Sequence, residues 1–139
     1  MIVVISHPDD EHATHVLGML ADEGREARLL NLAELPRTAS LIIDYAGRGT
    51  SPRLAYRNNG HSIELSQAGA VWWRRPQSPN LDGVGNNDVY VFAHNEWQEA
   101  LNGLWQLVDA DWMNPPARDE VAARKALQLR VANEVGRSR

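Results

Sequence analysis

Five consecutive residues, 7–11 (HPDDE), combine an imidazole with three carboxylates directly after an apolar run. Imidazoles and carboxylates bind divalent metals, and a carboxylate can also act as a general base. The apolar run, residues 2–5 (IVVI), is typical of a parallel strand buried on both faces. Ligands of α/β sheets bind at the carboxyl ends of such strands. The structural alternative is that Asp9 or Asp10 caps the following helix. The negative charge of Glu11 would then interact favourably with the positive end of the helix dipole.

The same string resembles the signature of zinc-dependent deacetylases that act on N-acetylglucosaminyl lipids and thiols. That resemblance implies His7 and Asp10 as zinc ligands and Asp9 as the base that deprotonates a zinc-bound water. The family also uses a third ligand from a later segment, where this chain has His61 and His94 standing alone. The glycine pair that follows the family motif is missing, so the zinc deacetylase stays an alternative interpretation.

A second unusual run, WWRRP at residues 72–76, ends a short apolar segment. In a strand, alternation sends Trp72 and Arg74 to one face and Trp73 and Arg75 to the other. Two guanidiniums at a strand end can receive a carboxylate or phosphate, which makes both arginines possible substrate contacts. The structural alternative is one tryptophan in the core, with the arginines covering apolar surface or pairing with acids of the protein.

The composition excludes several classes of protein. The chain has 139 residues, a formal net charge of −4 and no cysteine, which indicates one domain without disulfides or thiolate metal sites. Its arginines are scattered, so we expect no nucleic-acid surface. We expect no signal peptide or membrane span and predict a cytoplasmic protein. The standard glycine-rich dinucleotide and P-loop motifs and the G-x-S-x-G motif do not occur.

The elements that must position these groups follow an α/β order. Helical spacing over residues 10–23 and an apolar strand over 28–32 complete a strand–helix–strand opening. Two further strands are expected at 70–74 and 111–113, the second of them after a long helix over 89–108. The buried face of that helix is predicted to carry Trp97, Leu101, Leu104, Trp105 and Val108, with Phe92 near its start.

Two regions complete the predicted architecture. Short strands at 41–45, 53–57 and 61–65 indicate an inserted antiparallel flap, with a glycine-rich loop at 47–52 and an Asn59-Gly60 hairpin turn. One last helix is expected to begin at Asn114-Pro115-Pro116. Its inner face would carry Ala122, Ala126, Leu129 and Ala132, and Gly136 would end it.

Three blocks of sequence together resemble one known family. VWWRRP at 71–76, AHNEWQEALNGLWQLVD at 93–109 and WMNPPARDEVAARKALQLRVANEVG at 112–136 resemble the N-terminal part of ATP-grasp peptide maturases. These are ligases of the microviridin or graspetide class, related to the enzymes that add glutamate to a ribosomal protein. The order and approximate spacing of the blocks agree with the family over essentially the whole chain.

The resemblance implies a small Rossmann-like pre-ATP-grasp domain: a mostly parallel sheet flanked by helices, with an inserted antiparallel flap, spanning residues 1–139 as a single domain. The family uses ATP and magnesium to phosphorylate a side-chain carboxylate, which a hydroxyl or amine of the peptide then attacks. Lys125 aligns with a family lysine that can approach nucleotide phosphates. The ATP-binding lobes and their magnesium-binding carboxylates lie outside this chain, so we expect it to contain no catalytic residue and to be inactive alone.

One interpretation from a different class stays open beside the ligase and the zinc enzyme. The chain can be a stand-alone domain that recognises a peptide or partner through Arg74, Arg75 and the flap. Under the ligase interpretation, the surface that packs on the ATP-grasp lobes is exposed here, and the last helix is expected to support a homo-oligomeric contact.

Overall fold

A computed structural model describes residues 1–46, 49–56 and 61–137. The strands are β1 Ile2–Ile5, β2 Ala27–Leu30, β3 Ala39–Ala46, β4 Gly49–Tyr56, β5 Ser62–Glu64, β6 Ala70–Trp73 and β7 Asp111–Met113. The helices are α1 Glu11–Asp22, α2 Asn87–Leu107, α3 Pro116–Ala122 and α4 Lys125–Arg137. Over these residues, no helix combines the length and the apolar character needed to cross a membrane.

The main sheet is parallel throughout and has the order β2-β1-β6-β7. Val3 of β1 stands opposite Arg28 on one side and Val71 on the other. From β1 the chain continues to β2 on one side of β1, and it later adds β6 on the other side. The carboxyl ends of β1 and β6 therefore flank the switch point, where ligands of open α/β sheets bind.

Strand β1 is apolar in every position because both of its faces are covered. Val3 and Ile5 are fully buried in the main core. Val4 is equally buried and, by strand alternation, lies on the opposite face. Helix α2 contributes Leu101, Leu104 and Trp105 to the same core, and its C-cap Val108 joins them; the helical spacing predicted all four.

The predicted flap is confirmed as an antiparallel sheet with the order β3-β4-β5. The loop predicted over 47–52 is wrong from Gly49 onward, because β4 begins there and pairs with β3. Pro52 interrupts the strand pattern in the sequence, yet it stands opposite Ile43 within β4. It lies outside the β5 ladder, which pairs with residues 53–55, so its missing N–H breaks no bond to β5. Residues 47–48 and the Asn59-Gly60 turn lie outside the described residues.

The single last helix predicted from Pro115-Pro116 is wrong in three respects. It is divided into α3 and α4, and the side-chain amide of Gln128 donates to the carbonyl of Ala122 at 2.7 Å across the break. The helix also continues through Gly136, which therefore does not cap it. The inner face expected from the periodicity is exposed instead, and Leu129 keeps 72% of its surface. Phe92, at the start of α2, is likewise 66% exposed.

Candidate functional site

The carboxyl ends of β1 and β6 meet at one buried carboxylate, Asp10. Its side chain is 1% exposed. The Ser6 hydroxyl donates to Oδ2 at 2.8 Å, and the backbone N–H groups of His12 and Ala13 donate to Oδ1 at 3.2 and 3.4 Å. Asp10 is thus the N-cap of α1, which decides between the two residues that the sequence left open.

Arg74, which directly follows β6, is the third side chain of this cluster. Its Nε lies 3.3 Å from Asp10 Oδ2, an ion pair rather than an aligned hydrogen bond. Its guanidinium carbon lies 5.7 Å from the centre of the Trp72 ring, a cation–π distance. The backbone N–H of Arg74 donates to the Ile5 carbonyl at 3.0 Å. The alternation predicted for residues 72–75 agrees with this pairing of Trp72 with Arg74, and Arg75 is exposed.

These contacts keep Asp10 ionised. The hydrogen bond from Ser6 is the largest cause that lowers the pKa of Asp10 below its usual 3.8. Burial opposes it by raising the pKa, while the Ala13 N–H and the charges of Arg74 and Arg75 lower the pKa further. A folded protein therefore holds a charged carboxylate at this position, matched by the Arg74 guanidinium.

The zinc interpretation finds no support in this arrangement. Both oxygens of Asp10 already accept from Ser6 and from the start of α1. Asp9 is exposed, and His7 Nδ1 is buried without a hydrogen-bond partner in the described part of the chain. Over the same residues, no group of three histidines, aspartates or glutamates is close enough to hold a metal ion.

A cavity of about 650 Å³ lies beside the carboxyl ends of β6 and β7 and is here named the tryptophan cavity. Trp73, Trp105 and Trp112 form its aromatic wall. Neighbouring rings meet edge to face, with centroids 5.5 and 6.1 Å apart. Four prolines, four side-chain amides, two carboxylates and four other residues complete the lining: Pro76, Pro79, Pro115, Pro116, Gln77, Gln98, Asn102, Gln106, Asp119, Glu120, Leu32, Ser78, Leu101 and Ala117.

Lys125 lies apart from both features, as the first residue of α4. It is exposed, and its Nζ lies 3.3 Å from Gln128 Oε1. No contact among the described residues brings it to Asp10 or Arg74. The structure therefore groups Ser6, Asp10 and Arg74 at the switch point and leaves Lys125 on a separate surface.

Neither Ser6 as a partner of Asp10 nor the tryptophan cavity was predicted from the sequence. The spacing of Ser6 four residues before Asp10, across the strand-to-helix turn, is a signal that could have found the first. The cavity combines tryptophans from β6, α2 and β7, residues that only the tertiary fold brings together.

The sequence profile of the family described as "MvdD pre-ATP grasp domain" matches residues 1–120. Among solved structures, the macrocyclase MdnB from Microcystis aeruginosa MRC superposes with a TM-score of 0.86 and 29% identity. The match covers 97% of this chain and 44% of MdnB. No curated protein sequence matches the chain significantly.

Two further structures were solved with peptides bound. The macrocyclase MdnC from the same organism, bound with precursor peptide MdnA, matches with a TM-score of 0.82 and 21% identity, over 97% of this chain and 44% of MdnC. A RiPP-associated ATP-grasp ligase from Chryseobacterium gregarium, in complex with ADP and a leader and core peptide, matches with a TM-score of 0.82 and 22% identity. That match covers 97% of this chain and 41% of the ligase. The chain thus spans less than half the length of each.

Proposed function

The chain belongs to the family of MvdD pre-ATP grasp domains, and on that premise we propose that it is the N-terminal domain of a cytoplasmic, ATP-dependent peptide ligase. The observation that carries the proposal is the match to MdnB over 97% of this chain. The α/β architecture, including the antiparallel flap, supports it as well. The ligase would join a side-chain carboxylate of a ribosomally made peptide to a hydroxyl or amine of the same peptide.

The proposed chemistry has two steps. The terminal phosphoryl group of ATP passes to the peptide carboxylate, giving ADP and an acyl phosphate. The hydroxyl oxygen or amine nitrogen then attacks the acyl carbon, phosphate leaves with the bonding electrons, and the nucleophile loses its proton. Such a reaction needs metal and cationic groups to neutralise charge. The described residues hold no cluster of metal-ligating side chains, so we assign the magnesium ligands to ATP-grasp lobes outside this chain.

Three residues of this chain are proposed to serve the complete ligase. Lys125 would approach the nucleotide phosphates, which its exposed position on α4 permits. Arg75 would contact substrate, since its side chain is exposed beside the switch point. Arg74 would contact the same group through the part of its guanidinium that Asp10 leaves free, and would also hold the strand end in place.

The exposed apolar residues of α4 mark the surface proposed to pack on the ATP-grasp lobes. Leu129, Val131 and Val135 are all largely uncovered. Val131 and Val135 are four residues apart and share one face of α4, while Leu129 lies on the opposite face, so a partner that covers all three must contact both faces of the helix. In the chain by itself, we propose that two copies cover it in a homo-oligomer.

The test uses the complete translation product of the gene that encodes this chain. With Mg-ATP and a precursor peptide encoded beside it, we expect ADP release and a peptide lighter by one water for each crosslink. Lys125→Met should slow ADP release, whereas Arg124→Met, one residue earlier and also exposed, should not. If the translated protein consumes no ATP, or consumes ATP without changing the mass of the peptide, the proposal is wrong.

A further inference from the structure

The tryptophan cavity carries a chemistry that the ligase proposal does not use. Among the described residues, its lining contains two carboxylates and no lysine or arginine. Glu120 lies 3.5 Å from the guanidinium of Arg124. Asp119 has no ion-pair or hydrogen-bond partner for its carboxylate within the described residues. The cavity therefore offers one unmatched negative charge at its rim and favours a cationic occupant.

The aromatic wall favours the same occupant. Trp105 is nearly buried, while Trp73 and Trp112 are partly exposed against it. The Trp112 indole N–H already donates a hydrogen bond to the Val108 carbonyl at 3.3 Å. The electron-rich faces of indole rings attract cations, and a planar guanidinium both stacks on them and pairs with a carboxylate. An arginine side chain can stack on the tryptophans and pair with the Asp119 carboxylate at the same time.

The side-chain amides complete the match to a peptide. Gln77, Gln98, Asn102 and Gln106 line the cavity, and none of their side-chain amides has a hydrogen-bond partner in the part of the chain that the structure describes. A carboxamide both donates and accepts, as a peptide backbone does. The four prolines of the lining hold their backbone with few alternative conformations, which lowers the entropic cost of binding.

We propose that the tryptophan cavity binds an arginine side chain of the ligase's peptide, with Asp119 as the charge partner and the indoles as the stacking surface. This inference rests on the proposed function for the presence of a peptide. The cavity itself follows from the fold of this chain.

The experiment is a titration of the isotope-labelled 139-residue chain with capped tripeptides, followed through the indole N–H signals of its tryptophans. The probes are acetyl-Ala-Arg-Ala-amide and the same peptide with citrulline, which has the shape of arginine but no charge. We expect saturable shifts at Trp73, Trp105 and Trp112. Trp72 and Trp97 lie outside the lining and serve as internal references.

The expected contrast is about three- to tenfold weaker binding of the citrulline peptide, from the lost cation–π and charge contacts. Asp119→Asn should weaken the arginine peptide by a similar factor. Glu99→Gln removes the same charge from an exposed position of α2 outside the cavity, and should bind as the unaltered chain does.

Four results would overturn the site: equal affinity for both peptides, shifts confined to Trp72 and Trp97, equal effects of the two charge variants, or no saturable shift. Because the titration requires no ATP, loss of this site would leave the ligase activity intact. Conversely, a chain that binds the arginine peptide but belongs to no ligase would keep the site and lose the proposed function.

Discussion

Two polar regions of this domain differ in whether the chain satisfies them by itself. At the switch point, Asp10 is buried and receives hydrogen bonds from Ser6 and the start of α1, with Arg74 as its counter-charge. On α4, Lys125 contacts a single glutamine and the neighbouring apolar side chains are exposed. The first region is explained by folding alone. The second has no such explanation within the described residues, which is why we assign its role to a partner surface.

The largest expected difference in the free energy of unfolding is between a core leucine and a leucine of α4. Leu104 is fully buried in the main core, so Leu104→Ala should lower the free energy of unfolding by about 2–5 kcal/mol. Leu129 is 72% exposed, and Leu129→Ala should change it by less than about 0.5 kcal/mol. Urea unfolding followed by circular dichroism measures both. A large loss from Leu129→Ala would show that α4 is already packed.

A smaller effect separates the two neighbouring arginines. Arg74→Ala removes the counter-charge of buried Asp10 and the cover of Trp72, and should lower the free energy of unfolding by about 1–3 kcal/mol. Arg75→Ala, on the exposed side, should stay within about 0.5 kcal/mol. The same urea titration compares them. Equal losses would mean that Arg74 does not stabilise the switch point through Asp10.

Ser6 provides a finer test of the same cluster. Ser6→Ala removes one buried hydrogen bond, worth about 1 kcal/mol, and leaves the carboxylate with its backbone donors. The pKa of Asp10 should rise, since the Ser6 bond is the largest cause of its lowering. A carboxyl-detected NMR titration reads that pKa. An unchanged pKa would contradict the contact.

The pH dependence is the smallest expected effect, because burial opposes the contacts that lower the pKa of Asp10. The folded pKa lies below the unfolded one, so the unfolded state binds more protons between them. The stabilisation by ionised Asp10 is therefore complete above the usual value of 3.8 and is lost as the pH falls through the lowered folded pKa. In Asp10→Asn this component disappears. If the variant shows the same acid dependence as the unaltered chain, other groups cause it.

The sequence predicted elements where local pattern and burial agree. The continuous apolar run of β1 and the helical spacing of Leu101, Leu104 and Trp105 both correspond to buried faces. The same logic was wrong for Leu129, because helical periodicity shows which residues share a face but not what covers it. It was also wrong at Gly49 and Pro52, whose turn-forming tendencies are overridden by pairing with β3.

The residues of the candidate site could be predicted from the sequence, but the contacts between them could not. Asp10 and Arg74 were both singled out by type, as a cap or ligand and as a substrate contact. Their pairing depends on β1 and β6 being neighbours in the sheet, which the sequence order does not reveal. The tryptophan cavity depends in the same way on three separate elements that meet at one edge.

Under the proposed function, the ATP chemistry of the ligase lies outside this domain, which supplies surfaces to the ligase and should bind no nucleotide by itself. The most direct test is a titration of the isotope-labelled chain with Mg-ATP, followed through its backbone and side-chain NMR signals. We expect no saturable shift at any residue, including Lys125, Arg74 and Arg75. A saturable, stoichiometric shift centred on Lys125 or on the switch point would contradict it.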